Sequence, residues 1–345
     1  MRWIRNRLSA REGIQMSLLE VRDLCTFFRT KHGIVKAVNG VSYSVEAGKT
    51  LGIVGESGSG KTVSAMSILQ LLDTNGFIES GSIKFDGREL TTLTRREMYE
   101  IRGNDISVIF QEPMTSLNPV FTVERQVSEP FMVHQGLSKR EAALRVLDML
   151  RDVRIPNPEV VTKQYPHQLS GGMRQRVMIA MALACRPRIL IADEPSTALD
   201  VTIQAQILKL MNDLQKEKGT SIMFITHDLG VVCQMADDVA VMYCGQVVEM
   251  APARTIFGRP QFSHPYTEGL LFSIPRLDTP SNVRLEAIPG AVPHPLKLPV
   301  GCKFAPRCKY ATERCKVEEP ELVEVQPGQG VRCFYPDLKE RRKDG

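Results

Sequence analysis

The chain has 345 residues, of which 43% are hydrophobic and 24% charged, and a formal net charge of +5. That is the composition of an ordinary soluble globular protein with one large domain or two modest ones. Acidic and basic residues are interspersed, so charge does not call for a nucleic-acid partner, and no uninterrupted apolar run approaches the length of a bilayer span.

An N-terminal extension over residues 1–16 carries Arg2, Arg5, Arg7 and Arg11 beside Trp3. It lacks the apolar stretch of a secretory signal and is read as a poorly packed segment without a function. Leu18–Val21 and Val38–Val45, apolar and β-branched between polar turns, predict antiparallel strands. Thr50–Val54 predicts a short buried strand, and a helix starts after Gly60 with Val63, Met66, Ile68 and Leu69 at helical spacing. Between them lies Gly55-Glu56-Ser57-Gly58-Ser59-Gly60-Lys61-Thr62, the phosphate-loop pattern. Its glycines let backbone N–H groups curl around phosphates, Lys61 would reach the β- and γ-phosphates, and Thr62 would hold Mg²⁺. Strand, glycine loop and helix come in the order such a loop requires.

Ile106–Phe110 is rich in β-formers and leads into Gln111, which could ligate Mg²⁺ or position a water. Ser138-Lys139-Arg140-Glu141 fits a capping box, and the residues after it make a helix with one apolar face inside a helical insert. In Leu169-Ser170-Gly171-Gly172-Met173-Arg174-Gln175-Arg176, Ser170 can cap a helix while Gly171 and Gly172 keep side chains away from an approaching phosphate. Alone, this run reads equally as a capped helix with two glycines.

From Arg188 a strand at Ile189–Ala192, a helix near Ile203–Lys218 and a strand at Ser221–Ile225 alternate, which implies a parallel sheet with crossover helices. Asp193 stands at the end of the first of these strands and is assigned to Mg²⁺. Glu194, next to it, is assigned as general base or water-positioning group. His227 follows the second strand and would emerge at the same carboxyl edge of the sheet. Beyond about Gly258 prolines recur from Pro260 to Pro299 without helical period, which reads as a separate, loop-rich tail.

Eight cysteines without a secretory signal imply reduced thiols. Cys25, Cys185, Cys233 and Cys244 read as small apolar fillers of the core. Cys302, Cys308, Cys315 and Cys333 fall close together in the tail, with five, six and seventeen intervening residues. That spacing matches neither the C-x₂-C zinc pattern nor ferredoxin runs, so the residues by themselves leave zinc, an iron–sulfur cluster or free thiols open.

The phosphate loop, Gln111, the Leu169 run, the acidic strand end, Ala198-Leu199-Asp200 and His227 occur in the order and spacing of an ABC transporter ATP-binding subunit, which the chain resembles from about Leu18 to Gly258. The resemblance implies a P-loop α/β fold with an antiparallel β subdomain and a helical subdomain at about 112–186, the ATP-binding domain spanning 17–258. It also implies that Ser170, Gly171 and Gly172 contact ATP bound to a facing subunit, that Asp200 links the two sites, and that His227 holds the γ-phosphate and attacking water. Phe28, with Phe27 beside it, is the candidate for stacking on adenine.

Tyr165-Pro166-His167-Gln168, Met173, Thr115-Ser116-Leu117-Asn118-Pro119 and His264-Pro265-Tyr266-Thr267 resemble the oligopeptide/dipeptide importer subfamily, which includes nickel importers. Thr62 stands where Ser is more often found there, and either hydroxyl can bind Mg²⁺. The subfamily implies a C-terminal region over 259–345 whose Cys302, Cys308 and Cys315, with Cys333 as fourth ligand, hold a [4Fe–4S] cluster of structural rather than redox role. It further implies two membrane permease subunits, a second ATP-binding subunit and an extracytoplasmic binding protein as partners, at the cytoplasmic face of the cell membrane. A soluble ABC ATPase acting on nucleic acid would show two cassettes or a long coiled-coil insertion, and neither is visible.

Overall fold

The computed structural model describes residues 17–111, 116–195, 200–258, 260–274 and 287–341. The N-terminal extension, Glu112-Pro113, Thr115 and Ala198-Leu199 lie outside them. In chain order the strands are β1 (Leu19–Thr30), β2 (Gly33–Val45), β3 (Thr50–Val54), β4 (Gly76–Phe85), β5 (Arg88–Glu89), β6 (Ile106–Ile109), β7 (Ile189–Asp193), β8 (Ser221–Thr226), β9 (Asp238–Tyr243), β10 (Gln246–Pro252), β11 (Val323–Gln326) and β12 (Gln329–Val331). Each strand expected from the sequence is present. β1 and β2 are longer than expected, because their antiparallel pairing continues from Leu19↔Val45 to the turn at Thr30↔Gly33 through bulges that hide the alternation.

The chain forms two compact units; of the described residues the first holds 17–46, 50–92 and those from 225 onward, and the second holds 47–49 and 93–224. In the first, β2, β1, β4 and β5 form an antiparallel sheet in that order, and β11, β12, β10, β9 and β3 are successive neighbours in another. β3 and β9 run parallel, and the remaining pairs of that run are antiparallel. The helix Lys61–Ile68 is tied to the antiparallel sheet by two buried hydroxyl pairs, Tyr43–Ser64 and Thr26–Ser67, each at 2.8 Å. These fix the helix that carries the end of the phosphate loop. Burial drives the Tyr43 hydroxyl's pKa well above its ordinary value, so it remains a neutral partner.

The tail is more ordered than its proline-rich sequence suggests. A helix spans Pro265–Phe272, and β12 adds to the sheet through Glu249↔Val331 and Met250↔Gly330 of β10. The wholly buried Glu249 organises this region: its carboxylate accepts from the His264 amide (2.7 Å), the Ser263 hydroxyl (3.1 Å) and Gln329 Nε2 (2.8 Å). His264 in turn caps the helix, Nδ1 accepting from the Tyr266 amide at 3.1 Å. Burial, followed by the charges of Arg341 and Arg332, pushes its pKa down to about 3, so the imidazole is neutral and free to accept.

In the second unit β6 and β7 pair in parallel from Ile106↔Ile189 to Ile109↔Ala192, with β8 the next neighbour of β7. Its helices include Val123–His134, Lys139–Asp152, Gly171–Leu183 and Val201–Lys218, so the insert read at about 112–186 falls inside this unit. The capping box is formed: Ser138 Oγ accepts from the Glu141 amide, and Glu141 Oε2 accepts from the Ser138 amide at 2.9 Å. Of the four cysteines expected in the core only Cys244 is buried, and Cys25 and Cys185 are half-buried. Cys233 is exposed, because the short helix Leu229–Met235 buries Leu229, Val231, Val232 and Met235 and turns position 233 outward. Among the described residues no helix is long and apolar enough to cross a membrane.

Candidate functional site

The phosphate loop turns between β3 and the helix Lys61–Ile68, and two of its glycines, Gly55 and Gly60, are required by close backbone approach. A Cβ on Gly55 would lie 2.1 Å from the Met242 carbonyl oxygen. Gly60 has φ +96°, and a Cβ there would lie 2.3 Å from the Ala37 carbonyl oxygen. Lys61 is only 5% exposed; its Nζ donates to the carbonyls of Gly55 (2.6 Å) and Glu56 (3.0 Å), so the ammonium is held inside the loop. Ser57, Gly58 and Thr62 are exposed, and Ser59 is buried beneath them.

Two other candidates lie in the same unit. His227 directly follows β8 and is exposed; Asp228 after it accepts from the Gly230 amide at 2.8 Å and caps the next helix, which fixes the turn. Phe27 and Phe28 are both half-buried on β1, where a bulge breaks the alternation. Phe27 meets Phe77 edge to face at 6.3 Å and has the Lys36 ammonium 5.6 Å from its ring, whereas Phe28 rests against Gly76.

In the second unit the parallel register of β6 and β7 brings Gln111 and Glu194 to one carboxyl edge. Gln111 Nε2 donates to Glu194 Oε2 at 3.1 Å. Asp193, the last residue of β7, is 2% exposed. Glu194 has φ +46°, a left-handed backbone unusual for a side-chain-bearing residue and costing about 1–3 kcal/mol. Strain of this kind tends to persist where surrounding structure enforces a functional geometry.

Ser170 caps the helix Gly171–Leu183, its Oγ accepting from the Met173 amide at 3.3 Å. A Cβ on Gly172 would come within 2.9 Å of the Ile203 side chain, so glycine lets this helix start close against Val201–Lys218. Asp200 caps that second helix, accepting from the Ile203 amide at 3.0 Å. Ser170 and Asp200 remain exposed, each at the head of a helix of more than a dozen residues, where N–H dipoles favour anions.

In the C-terminal region Cys302, Cys308, Cys315 and Cys333 line a single small cavity of about 20 Å³, together with Phe304 and Tyr310. Burial pushes the Cys308 thiol up to about 11 and the Cys333 thiol up to about 12 and raises Cys302, so these three thiols are neutral. Among the described residues no group of three or more His, Cys, Asp or Glu side chains is arranged to hold a metal ion.

Two residues at the phosphate loop escaped the sequence reading. Tyr266 Oη accepts from the Glu56 amide at 2.8 Å, although its motif reads only as a proline-punctuated turn. Arg307 grips the Glu56 carboxylate from a point 251 residues away in the chain, at 2.6 and 3.0 Å. The sole sequence cue was an arginine directly before Cys308.

The family described as "ABC transporter" matches residues 38–197, and that described as "Oligopeptide/dipeptide transporter, C-terminal region" matches residues 248–315. The oligopeptide transport ATP-binding protein AppD of Bacillus subtilis is 52% identical over 319 residues, covering 92% of this chain and 96% of that protein. The oligopeptide transport ATP-binding protein OppD of Salmonella typhimurium is likewise 52% identical over 319 residues, covering 92% and 94%. Among solved structures, the dimeric bacterial ABC transporter cassette MJ0796 matches with a TM-score of 0.62 at 28% identity, over 68% of this chain and 99% of that one. A post-hydrolysis dimer of the same cassette, bound to ADP and Pi, gives the same score.

Proposed function

Because the chain belongs to the oligopeptide/dipeptide family of ABC transporter ATP-binding proteins, ATPases that energise oligopeptide import, we propose the following division of work among its residues. Phe28 stacks on adenine, while Gly55, Glu56, Ser57, Gly58, Ser59 and Gly60 wrap the phosphates with backbone amides and Lys61 reaches the β- and γ-phosphates. Thr62, Gln111 and Asp193 would hold Mg²⁺, which would supply positive charge to offset the negative charge developing on the phosphates. The buried carboxylate of Asp193 at a strand end, with Gln111 on the neighbouring strand's end, suits hard-cation ligation.

Glu194 accepts a proton from water as its oxygen attacks the γ-phosphorus; the bond from that phosphorus to the β–γ bridging oxygen breaks, and ADP carries the released electron pair. The Gln111–Glu194 hydrogen bond is the observation that carries this assignment, since it orients the base at the carboxyl edge that β6 and β7 share. His227 holds the γ-phosphate and the attacking water. Ser170, Gly171 and Gly172 complete the ATP site of a facing subunit, and Asp200 links the two sites. The dimeric MJ0796 cassette supports this two-subunit reading.

The chain works with a second ATP-binding subunit, two permease subunits and an extracytoplasmic binding protein, on the cytoplasmic face of the membrane, with peptides as cargo and no nucleic acid involved. In the reconstituted complex, peptide-loaded binding protein should raise ATP turnover severalfold. Stimulation by nickel-loaded binding protein alone would replace peptide with nickel as the cargo.

The four tail cysteines would hold a [4Fe–4S] cluster of structural role. Its support here is that all four line one cavity in a region with little hydrophobic periodicity to hold it. Ligation would displace the thiol protons and couple cluster binding to folding of the tail. Anaerobically purified protein should be brown, with iron and sulfide near four each per chain. A colourless protein with stoichiometric zinc would assign the site to zinc instead.

A further inference from the structure

Glu56 has the wrong sign for its place. It is the second residue of a loop that binds a polyanion, and a carboxylate there opposes the field of Lys61 and the loop amides. Arg307 answers it: NH1 lies 2.6 Å from Glu56 Oε2 and NH2 lies 3.0 Å from Oε1, a two-pronged guanidinium–carboxylate pair. The arginine side chain is only 4% exposed and is itself held in place, Nε donating to the Pro289 carbonyl at 2.9 Å and NH1 to Tyr243 Oη at 3.4 Å. At the other end of the same residue the Glu56 amide donates to Tyr266 Oη. Both grips come from the C-terminal region.

We infer that Arg307 is a positioning residue of the ATP site, neutralising Glu56 and anchoring the first turn of the phosphate loop to the C-terminal region. It touches no phosphate; it acts through Glu56. The inference rests on the phosphate loop's role as the ATP site. It has a sign that a purely structural link lacks. Loss of the arginine leaves an uncompensated negative charge in an anion site, and loss of the carboxylate as well removes that penalty.

The test is equilibrium binding of Mg-ATP to the full-length chain. One unscreened charge on the order of 10 Å from a phosphate, at a near-surface dielectric, is worth about tenfold in affinity. R307M should therefore bind ATP about tenfold more weakly, and the deficit should shrink as salt is added. R307M combined with E56Q should recover to within about threefold of wild type, and R307K, which keeps the charge but not the fork, should fall between wild type and R307M. If the double variant binds as weakly as R307M, or R307M binds as tightly as wild type, the inference fails and Arg307 merely ties the tail down. A fall in melting temperature shared by R307M and the double variant leaves the affinity comparison valid, because the rescue is read between those two. A wild-type chain that bound no ATP would instead overturn the assignment of the loop itself.

Discussion

Glu194→Gln is expected to lower ATP turnover by about 10²–10⁴-fold, the range associated with loss of a general base, while ATP binding stays near wild type. The substitution is nearly isosteric and leaves the left-handed backbone at this position with a side chain of the same stereochemical demand, so the φ of +46° costs both residues alike. What changes is basicity. An amide can still pair with Gln111, at the 3.1 Å now spanned from Nε2 to Oε2, but it cannot accept the proton that water must lose as it attacks the γ-phosphorus. Phosphate release under saturating ATP and equilibrium ATP binding, measured side by side, separate the two steps. Hydrolysis within about twofold of wild type would remove Glu194 from the base role.

The second large effect is expected at Gly60→Ala. Its φ of +96° carries strain of about 1–3 kcal/mol for any side-chain-bearing residue. The new methyl would also lie 2.3 Å from the Ala37 carbonyl oxygen and 3.4 Å from the Gly245 backbone. Both obstacles are main chain, so no rotamer change relieves them and the loop itself must move. Loss of ATP binding beyond about 100-fold is expected, with a clear fall in melting temperature. Gly87→Ala is the control: its φ of +78° is also left-handed, but nothing lies within 4 Å of the added methyl. It should cost about 1 kcal/mol in stability and leave ATP binding unchanged. If the two variants lost stability and affinity equally, close approach to Ala37 would not be the reason for glycine at position 60.

The parts of the candidate site that could be read from the sequence are those whose constraints are local. The loop from Gly55 to Thr62 sits between a strand and a helix a few residues away, Ser170 and Ser138 cap the helices they precede, and Asp193-Glu194 end a short apolar strand. Each is specified within about a dozen residues. The alternation of strand and helix after Arg188 also implied a parallel sheet, and β7 does pair in parallel with β6, but that this register brings Gln111 to Glu194 came only from the fold. Phe27 and Phe28 were harder to separate, because the bulge between Thr26 and Phe27 breaks the period that decides which face a residue occupies.

The tail marks the other limit. A stretch with recurrent prolines and no apolar period carries no local signal for a strand pair, yet Glu249, buried with three hydrogen-bonded partners from 263, 264 and 329, collects it onto the edge of β10. A buried carboxylate leaves no trace in a hydrophobicity pattern. The pairing of Arg307 with Glu56 is invisible for the same reason: an ion pair between residues 251 apart is specified by where two surfaces meet, not by either residue's neighbours in the chain. Sequence alone therefore determined the chemistry available to this protein, a phosphate loop, an acidic strand end and a signature helix, because each is a short-range pattern of backbone conformation and charge. Only the tertiary structure decided what holds that chemistry in place, because the charge on Glu56 and the four tail thiols acquire their meaning from groups that folding alone brings within reach.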